Sequence, residues 1–547
     1  MAADAVPTRE ALVVGDRRLT YAQLEERANR LAHVLRAQGV VPGDHVAVYL
    51  ENCPEYLEAM LAAFKLRAVP VNVNYRYVAG ELAHLLADSG AVGVITQPSL
   101  VDRVDSVAGD LPGLRFTLVT GDGPGRYEEA LAAASAGRPE VPGRGDDDHY
   151  VIYTGGTTGL PKGVVWRHED AFFACIGGGD PMRLLGPVSS PDQLPDRINQ
   201  APVCYLPLAP MMHAAAQWTS LSRLFAGDRV VLMAGRLDPA EVWATVTAEG
   251  VNLMTVVGDA VARPLLDEWD RNGPFDVSSL ISLSNGGAPM SPAIRARVFA
   301  TLPDVFVTDG FGSSEAGTQG ASRVTAAEGA AAGADGAMVR FDSPAKPTLV
   351  VGADGDEVTP GSGEVGMVLA GGRLPLGYHN DPDRTARAFV ERGGQRWLVT
   401  GDMATVSAEG AIELRGRGSQ AINTGGEKVF PEEVEAVLKA HPDVYDCLVV
   451  GVPDDRWGSA VGAVVQPVAG ASPTLEALVA HCRASLAGYK APKHIVVVDR
   501  VERSPSGKAD YRWAAGVAAA GATGAVPGGP AGVGAGEAKG RSGQATP

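Results

Sequence analysis

Cysteine is scarce in this chain. Among its 547 residues there are five cysteines, and they stand far apart at Cys53, Cys175, Cys204, Cys447 and Cys482. Their number is odd, and no two of them form a Cys-x-x-Cys pair. This pattern argues against a disulfide framework and against a zinc site, and it fits the reducing environment of the cytoplasm.

Long apolar segments are also missing. The N-terminal segment MAADAVPTREALVVGDRRLT lacks the apolar core of a signal peptide. The best candidate for a membrane span, residues 56–73, is interrupted by Glu58, Lys65 and Arg67, whereas a transmembrane helix needs roughly 20 consecutive apolar residues. No basic amphipathic stretch that could anchor the chain to a membrane surface is found either. The sequence therefore predicts a cytoplasmic protein without an integral membrane segment.

Positive charge is in deficit. The chain has 47 basic and 64 acidic residues and a net charge of -17, which argues against a nucleic acid as a general partner. Hydrophobic residues make up 45% and charged residues 20%, as is typical of globular proteins. A chain of this length exceeds one ordinary hydrophobic core, so two or more domains are expected.

Alternating strand and helix patterns predict the fold class. Residues 20–38 place apolar side chains at helical spacing behind Thr20, a residue type that caps helices. A helix is predicted over residues 54–66, between strands at 45–50 and 69–73. The alternation continues through most of the chain, which predicts α/β layers around largely parallel sheets.

The pattern changes near residue 415. The segment LRGRGSQAINTGGEKVFPEEVEAVL indicates a turn, a short strand, a Gly-Gly turn and a helix opened by Pro431. The following run is long enough for a small α+β domain of its own. We predict a large N-terminal domain over 1–415, a boundary segment at 416–419, a small domain over 416–513 and a disordered Ala/Gly-rich tail over 514–547.

The strongest local signal is the segment Tyr153-Thr-Gly-Gly-Thr-Thr-Gly-Leu-Pro-Lys-Gly163, which stands between two predicted strands. Its glycines let the backbone approach a ligand closely, and its hydroxyls and lysine suit the oxygens of a triphosphate. The alternative is a glycine-rich hairpin without a ligand. The segment is not the usual P-loop, because Pro161 precedes the lysine, Gly163 follows it, and a strand rather than a helix comes next. The candidate phosphate-binding residues are Thr154, Gly155, Gly156, Thr157, Thr158, Gly159 and Lys162.

This segment resembles the signature of the adenylate-forming superfamily, which contains acyl-CoA synthetases, adenylation domains and beetle luciferases. The resemblance covers about residues 10–513, because further motifs follow in the family's order. It implies a large AMP-binding domain followed by a small mobile domain. It also implies an enzyme that uses ATP, Mg²⁺ and coenzyme A to activate a small-molecule carboxylic acid.

Two further segments resemble family motifs around the nucleotide. Ser284-Asn-Gly-Gly-Ala-Pro-Met290 resembles the segment that runs along the adenine ring, which gives that role to Gly287, Ala288 and Pro289. Asp309-Gly-Phe-Gly-Ser-Ser-Glu315 resembles a motif that ends in a metal-binding glutamate, and Mg²⁺ favours one or two carboxylates beside phosphate oxygens. The resemblance implies that Glu315 binds Mg²⁺, that Ser314 contacts the α-phosphate, that Phe311 packs on adenine and that Asp309 accepts a hydrogen bond from the adenine amino group, with Gly310, Gly312 and Ser313 in the same ATP-binding segment. Many relatives have Tyr where this chain has Phe311, a change that keeps the ring stack and loses the hydroxyl.

The ribose and the reacting carboxylate also have implied partners. Trp397-Leu-Val-Thr-Gly-Asp402 resembles the family's Thr-Gly-Asp motif, so that Asp402 would accept hydrogen bonds from both ribose hydroxyls. Arg417 would reach the ribose from the domain boundary. Ser504-Pro-Ser-Gly-Lys508 resembles the C-terminal lysine motif, which implies that Lys508 bridges the substrate carboxylate and the α-phosphate as negative charge builds. Without these motifs both cations would be ordinary surface residues. The implied catalytic residues are Lys508, Glu315, Thr154 and Lys162.

In this family the small domain rotates between two half-reactions. The hinge position, commonly Asp or Lys, is Ser419 here, and this departure leaves the ease of rotation open. A loop that lines the pantetheine tunnel after rotation is matched by Gly425, Gly426, Glu427 and Lys428. Its presence favours coenzyme A as the acceptor.

The segment Leu206 to Trp218 matches the region at the mouth of the family's acyl pocket. The resemblance implies that His213 gates the acyl channel, with a buried structural histidine as an equal alternative. The small residues around Ala215 would leave room for a bulky acyl group. The predicted substrate-binding set is His213, Ala215, Trp218, Gly286 and Gly312.

Residues 162–170 and 256–266, together with 417–419, resemble the actinobacterial branch that handles fatty acids and steroid side-chain acids. We therefore predict a medium or long hydrophobic acid as substrate, rather than acetate or an aryl acid. Three alternatives stand beside this prediction: an acyl-AMP ligase that loads a carrier protein, a P-loop kinase or ATPase that makes ADP, and a nucleotide-binding protein without turnover. A homodimer is compatible with the sequence, which does not fix the oligomeric state.

Overall fold

The computed structural model describes residues 1–123, 125–155, 160–180, 185–331, 340–341, 345–424, 427–454, 457–503 and 508–522. Within these ranges the strands are β1 (Glu10–Val14), β2 (Arg17–Thr20), β3 (His45–Tyr49), β4 (Val69–Asn72), β5 (Gly93–Thr96), β6 (Phe116–Val119), β7 (His149–Thr154), β8 (Lys162–Arg167), β9 (Cys204–Pro207), β10 (Arg229–Leu232), β11 (Leu253–Val256), β12 (Ser282–Asn285), β13 (Phe306–Ser313), β14 (Gly317–Val324), β15 (Arg340–Phe341), β16 (Thr348–Val351), β17 (Gly366–Ala370), β18 (Gly377–Tyr378), β19 (Phe389–Arg392), β20 (Gln395–Val406), β21 (Ile412–Arg417), β22 (Ile422–Thr424), β23 (Glu427–Val429), β24 (Val444–Asp454), β25 (Gly458–Pro467) and β26 (His494–Val497).

The α-helices in the same ranges are α1 (Ala2–Ala5), α2 (Tyr21–Ala37), α3 (Pro54–Lys65), α4 (Ala79–Ser89), α5 (Val101–Ala108), α6 (Tyr127–Ala133), α7 (His168–Ala174), α8 (Ala214–Phe225), α9 (Pro239–Glu249), α10 (Gly258–Asn272), α11 (Pro292–Thr301), α12 (Ala326–Ala331), α13 (Pro382–Ala388), α14 (Pro431–Leu438), α15 (Leu475–Arg483) and α16 (Tyr511–Ala522). Short 3-10 helices cover Pro191–Arg197, Gly418–Gln420 and Gly488–Lys490.

Helix α2 shows how the sequence determines a local element. Thr20 caps it, because its side chain accepts a hydrogen bond from the Gln23 amide and the Gln23 side chain accepts one from the Thr20 amide. Leu24, Leu31 and Leu35 lie on one face of the helix and are buried. The predicted helix over residues 20–38 is confirmed to within its terminal residues.

Two sheets form the large N-terminal part. One has the strand order β14-β13-β12-β11-β9-β10-β1-β2 and the other the order β18-β8-β7-β4-β3-β5-β6. The inner strands of both sheets pair in parallel, and antiparallel pairs occur at β1–β2 and β13–β14 in the first sheet and at β7–β8 and β8–β18 in the second. The predicted α/β fold around largely parallel sheets is confirmed for this part of the chain.

Helices fill three layers around these sheets. Between the two sheets, side chains of α2, α3 and α8 join the largest buried cluster, with Leu31, Leu57 and Leu221 among them. The outer face of the first sheet is covered by α9, α10 and α11, and that of the second by α4 and α5. Parallel strands of this kind are buried on both faces.

A third sheet follows, with the order β15-β21-β20-β17-β16 and with β19 paired to β20. All of its pairs are antiparallel, because connections such as the Gly393-Gly394 turn are too short for the crossover that parallel strands need. Strand β21 continues to Arg417, inside the predicted boundary segment 416–419.

The C-terminal part is a small α+β unit. The hairpin β22–β23 stands beside the sheet β24-β25-β26, with α14 and α15 packed on one face and α16 on the other. Helix α16 corrects the predicted start of the disordered tail at residue 514, because it continues to Ala522. Alanine has the highest intrinsic helix propensity, and Ala514 and Ala518, four residues apart, are both buried against the sheet.

Across the part of the chain that the structure describes, the helices are all too short or too polar to cross a lipid bilayer.

Candidate active site

The carboxyl ends of three parallel strands define the floor of a cleft. Strands β11, β12 and β13 are in register, with Val256 beside Asn285 and Asn285 beside Asp309. Ligands commonly bind at this end of parallel strands. The segments that continue from these strands begin α10, form the turn at 286–289 and lead into the β13–β14 hairpin.

This cleft has a volume of about 490 Å³ and collects residues from both parts of the chain. The predicted ATP-binding, metal-binding and hinge residues that line it are Thr154, Gly155, Lys162, Gly287, Ala288, Pro289, Asp309, Gly310, Phe311, Gly312, Ser313, Ser314, Glu315, Asp402, Arg417, Ser419 and Lys508. Gly156, Thr157, Thr158 and Gly159 lie outside the described residues. The sequence positions are far apart, so their convergence is a property of the fold.

Lys162 and Glu315 form an ion pair at the predicted phosphate side of the cleft, where Thr154 and Gly155 also lie. Lys162 begins β8 opposite Thr154 of β7, and its Nζ lies 2.8 Å from Glu315 Oε1. Burial alone would raise the pKa of Glu315, but the charge of Lys162 and a hydrogen bond from the Tyr378 hydroxyl bring that pKa below its ordinary value. Glu315 is therefore ionised at neutral pH and suited to a cation.

Asp402 and Arg417 face each other across neighbouring strands of the third sheet. Arg417 Nε lies 2.8 Å from Asp402 Oδ1, and another guanidinium nitrogen donates to the Thr400 carbonyl at 2.9 Å. Burial raises the pKa of Asp402, and the charge of Arg417 opposes that rise. The pair presents an acceptor and a donor side by side, as a diol would require.

Asn285 organises the other wall. Its Oδ1 accepts from the Gly258 amide at 2.8 Å, and its Nδ2 donates to Asp309 Oδ1 at 2.9 Å and to the Ala288 carbonyl at 3.2 Å. Arg295 lies 2.6 Å from the other carboxylate oxygen of Asp309. Asp309 is thus held by two protein partners, and its predicted contact with adenine stays a prediction.

Lys508 reaches this wall from the C-terminal unit. A methyl group added at Gly287 would lie 4.0 Å from Lys508 Cε, which is ordinary van der Waals contact and places the lysine stem directly beside this turn. Lys508 keeps access to solvent within the cleft. Its surroundings lower its pKa, first by desolvation and then by the charge of Arg417, while Glu315 and Asp402 oppose that effect.

A buried charge cluster joins the two parts of the chain beside Lys508. Lys439, directly after α14, lies 3.6 Å from Asp259 of α10, and 3.5 Å and 3.9 Å from Asp446 and Glu435 of its own unit. Burial alone would lower the pKa of Lys439, but the three carboxylates raise it above its ordinary value. Glu432 lies on the same helix, and burial together with Glu435 raises its pKa to about 8.

Four of the predicted substrate-binding residues, His213, Ala215, Trp218 and Gly286, are not among the residues that line the cleft. His213 precedes α8, and burial lowers its pKa to about 4, so it is neutral at pH 7. Ala215 is exposed, and Trp218 is buried with its ring 6.5 Å from that of Trp166. A Cβ added at Gly286 would lie 4.0 Å from the carbonyl oxygen of Gly310, a residue that lines the cleft.

The described residues of the predicted coenzyme A loop, Glu427 and Lys428, do not line this cleft. Glu427 and Lys428 are exposed on the β22–β23 hairpin, and Gly425 and Gly426 lie outside the described residues. Their role, like those of the predicted acyl-pocket residues, stays a prediction.

Sequence reasoning missed five cleft residues that the structure brings forward: Asn285, Tyr378, Asp259, Glu432 and Lys439. The first stands inside a segment that had already been singled out, so its polar side chain at a strand end was a usable signal. The other four act through partners distant in sequence, and no local pattern marks them.

The donor set fits Mg²⁺. Among the described residues, no group of three or more His, Cys, Asp or Glu side chains could hold a metal ion by itself. A single ionised carboxylate beside a triphosphate site is, however, how Mg²⁺ is usually held. Glu315 is the residue that would supply that carboxylate.

Comparison with known proteins defines the class. A profile of the AMP-binding enzyme family matches residues 1–378, and a profile of the AMP-binding enzyme C-terminal domain matches residues 433–508. The chain therefore belongs to the AMP-binding enzyme family, and the family resemblance and two-part fold predicted from its motifs are confirmed.

Particular relatives are similar over nearly the whole chain. A medium/long-chain-fatty-acid–CoA/3-oxocholest-4-en-26-oate–CoA ligase of Mycobacterium marinum is 43% identical in an alignment of 532 positions that covers 94% of each protein. A 3-oxocholest-4-en-26-oate–CoA ligase of Rhodococcus rhodochrous is 44% identical over 528 residues, again 94% of each. The crystal structure of an anthranilate CoA ligase in complex with anthranoyl-AMP matches with a TM-score of 0.82 over 95% of this chain and 98% of that one, and at 22% identity this likeness concerns the fold alone.

Proposed function

We propose that this protein is an ATP-dependent acyl-CoA synthetase that activates a hydrophobic carboxylic acid as its acyl-adenylate and then transfers the acyl group to coenzyme A. The observation that carries the proposal is the convergence of Lys162, Glu315 and Lys508 with the Asp402–Arg417 pair in one cleft. These groups come from five separate segments of the chain. Nothing in the packing of either unit requires all of them to meet.

The first half-reaction would be an attack by a substrate carboxylate oxygen on the α-phosphorus of ATP. A new P–O bond forms, the bond to the bridging oxygen of pyrophosphate breaks, and acyl-AMP and pyrophosphate result. A carboxylate is already a nucleophile, so the protein mainly has to orient two anions and offset their repulsion. Lys508 supplies positive charge where negative charge develops.

Each remaining group has a separate task in this proposal. Lys162 would contact phosphate oxygens, and Asp402 with Arg417 would hold the ribose. Glu315 would hold Mg²⁺, which when bound neutralises phosphate charge. The exposed Glu427 and Lys428 would meet coenzyme A only after the small unit has turned, with the segment at Ser419 as the hinge.

The acyl group is proposed from the relatives. Proteins that are 43% and 44% identical over nearly the full chain are named as ligases of medium or long fatty acids and of 3-oxocholest-4-en-26-oate. Two classes of acid, long-chain fatty acids and steroid side-chain acids, are therefore the first to test. Both are hydrophobic and need a wide acyl channel.

The test is the release of AMP and pyrophosphate from ATP, Mg²⁺ and coenzyme A with acids that run from acetate through long fatty acids to steroid side-chain and aryl acids. We expect AMP formation that depends on a hydrophobic acid, and a fall of about a hundredfold or more in Lys508→Ala, because a charge that stabilises the transition state is removed. Lys493→Ala, which removes a lysine that does not line the cleft, is the matched control. ADP as the product would indicate a kinase or ATPase, and AMP made only with a carrier protein as acceptor would indicate an acyl-AMP ligase.

A further inference from the structure

Tyr378 occupies a position that the predicted motifs do not account for. Its hydroxyl lies between the two charges of the phosphate side, 3.2 Å from Lys162 Nζ and 3.1 Å from Glu315 Oε1. The ammonium also lies 4.5 Å from the centre of the tyrosine ring, within the range of a cation–π contact. Three segments of the chain thus meet at one hydroxyl group.

The hydrogen-bonding pattern at that hydroxyl is fully specified. A phenol has one proton to donate and lone pairs to accept with. An ammonium group can only donate and an ionised carboxylate can only accept, so the hydroxyl accepts from Lys162 and donates to Glu315. No other assignment satisfies both contacts.

The backbone of Tyr378 is rigidly held. Strand β18 pairs with β8, with Tyr378 opposite Val164, and the His379 amide donates to the Gly163 carbonyl at 2.8 Å. The Tyr378 amide donates to Thr385 Oγ1 at 2.9 Å. The tyrosine is therefore fixed relative to the strand that begins with Lys162.

The turn that carries Glu315 is also held from outside the cleft. Trp166 Nε1 donates to the Ser314 carbonyl at 3.0 Å, and Lys346 Nζ donates to the Ala316 carbonyl at 2.7 Å. The backbone on both sides of Glu315 is thus fixed by neighbours. What remains free is the direction of its side chain, which Lys162 and Tyr378 set.

We propose that Tyr378 is a positioning residue for the nucleotide: its hydroxyl keeps Lys162 and Glu315 oriented while they exchange their mutual ion pair for phosphate oxygens and Mg²⁺. Without it, the two opposite charges have only each other as side-chain partners among the described residues at this point. Their direct pair then competes with the nucleotide. This inference rests on the proposed function for its substrate, ATP, but concerns a residue outside the motifs singled out in the sequence.

The variant Tyr378→Phe tests the hydroxyl and keeps the ring. We expect the gain in ATP affinity on adding Mg²⁺, and kcat/KM for Mg²⁺–ATP, to fall roughly tenfold to a hundredfold, the size of a hydrogen bond to a charged group. KM for the acid is expected to stay within about twofold, because the hydroxyl has no path to the acyl group other than through Lys162 and Glu315. The first quantity is measured by titration with a non-hydrolysable ATP analogue, with and without Mg²⁺, and does not need turnover.

Two controls separate positioning from general destabilisation. Tyr127→Phe deletes another hydroxyl that donates to a buried carboxylate, Glu58 Oε2 at 2.7 Å, but it lies in the core and not in the cleft. It should lower the melting temperature without changing the response to Mg²⁺. The same Tyr378→Phe change in a Glu315→Gln background should have little further effect on that response, because the group it positions is then missing.

The proposal is overturned if the Mg²⁺ titration of Tyr378→Phe superimposes on that of the unmodified protein, or if the loss is equally large in the Glu315→Gln background. These outcomes differ from a failure of the proposed function. If no acid supports AMP formation in the unmodified protein, the ligase assignment fails, and the Mg²⁺-dependent binding titration still decides the role of Tyr378.

Discussion

Glu432 illustrates how the fold tunes single residues around the cleft. Its carboxyl group is buried, one of its oxygens has no hydrogen-bond partner within the described structure, and it lies near Glu435. Because the ionised form is poorly solvated there, its pKa is raised from 4.5 to about 8. A protonated carboxyl at neutral pH keeps this helix face from adding another negative charge beside Asp402.

A pH dependence of stability follows from that shift. The native state holds the Glu432 proton up to about pH 8, whereas the unfolded chain releases it near its ordinary pKa of 4.5. The native state therefore binds more protons than the unfolded state between these values. The contribution of Glu432 to the free energy of unfolding falls as pH rises from about 4.5 to about 8, by an amount on the order of a few kcal/mol. Glu432→Gln removes this ionisation. The melting temperature of the variant minus that of the unmodified protein should therefore be larger at pH 9 than at pH 6.

The matched control is Glu476→Gln, which removes an exposed carboxylate from the first turn of α15. It should leave the difference between pH 6 and pH 9 unchanged. A Glu432→Gln variant whose melting temperature follows the same pH curve as the unmodified protein would contradict the assigned pKa.

At the element scale, hairpins and strand ends carry the site. The β7–β8 hairpin presents Thr154 and Lys162, the β13–β14 hairpin presents Glu315, and the paired strands β20 and β21 present Asp402 and Arg417. Backbone hydrogen bonds between the paired strands fix the backbone positions from which these side chains extend. This rigidity suits a site that has to orient two anions.

Local elements with a clear periodicity were predictable from the sequence. Helix α2 follows from helical spacing and from Thr20, and the strands on either side of the glycine-rich segment follow from their apolar residues. The start of the tail was not predictable, because Ala514 and Ala518 look featureless until the sheet on which they pack is known. The antiparallel third sheet was missed for a similar reason, since its strands carry no local signal of their partners.

The residues of the candidate site also fall into a group that could be predicted from the sequence and a group that could not. Residues within contiguous motifs, such as Lys162, Glu315 and Asp402, could be found from the sequence. Tyr378 and Asp259 could not, because their importance comes from partners that are distant in the chain. A pairwise contact between remote segments leaves no trace in one sequence read alone.

At the scale of the whole molecule, the shape of the cleft depends on the interface between the large and small parts. Lys439 and Asp259 are both less than a tenth exposed and join α14 to α10. Tyr445 adds a second link, because its hydroxyl donates to Asp267 Oδ2 at 2.9 Å and the Arg263 guanidinium lies 4.9 Å from its ring centre. These contacts hold Lys508 in the cleft.

The variant Asp259→Asn should weaken that arrangement. It removes the attraction to Lys439, although Lys439 still has Asp446 and Glu435 as partners in its own unit. The amide oxygen of the new side chain can still accept a hydrogen bond from the Ser291 amide, as the carboxylate does at 2.8 Å. We expect faster hydrogen exchange in α14 and an AMP formation rate reduced by about tenfold, because Lys508 is less often in place and a close buried charge pair contributes about 1.5 kcal/mol or more.

Asp270→Asn is the control for this change. Asp270 also lies on α10, but its partner Arg297 belongs to the same large part, at 2.5 Å. Exchange in α14 should be unchanged in this variant. Equal effects of the two substitutions would show that the Asp259–Lys439 contact has no special part in docking the small unit.

The most direct test of the central claim follows an oxygen atom. If the carboxylate attacks the α-phosphorus, an acid labelled with ¹⁸O in its carboxyl group must transfer one labelled oxygen to AMP when the acyl-adenylate reacts with coenzyme A. Mass spectrometry of the AMP decides this with a hydrophobic acid that supports turnover. We predict one ¹⁸O atom per AMP formed. Unlabelled AMP, or label found in inorganic phosphate together with ADP, would contradict an adenylate-forming ligase.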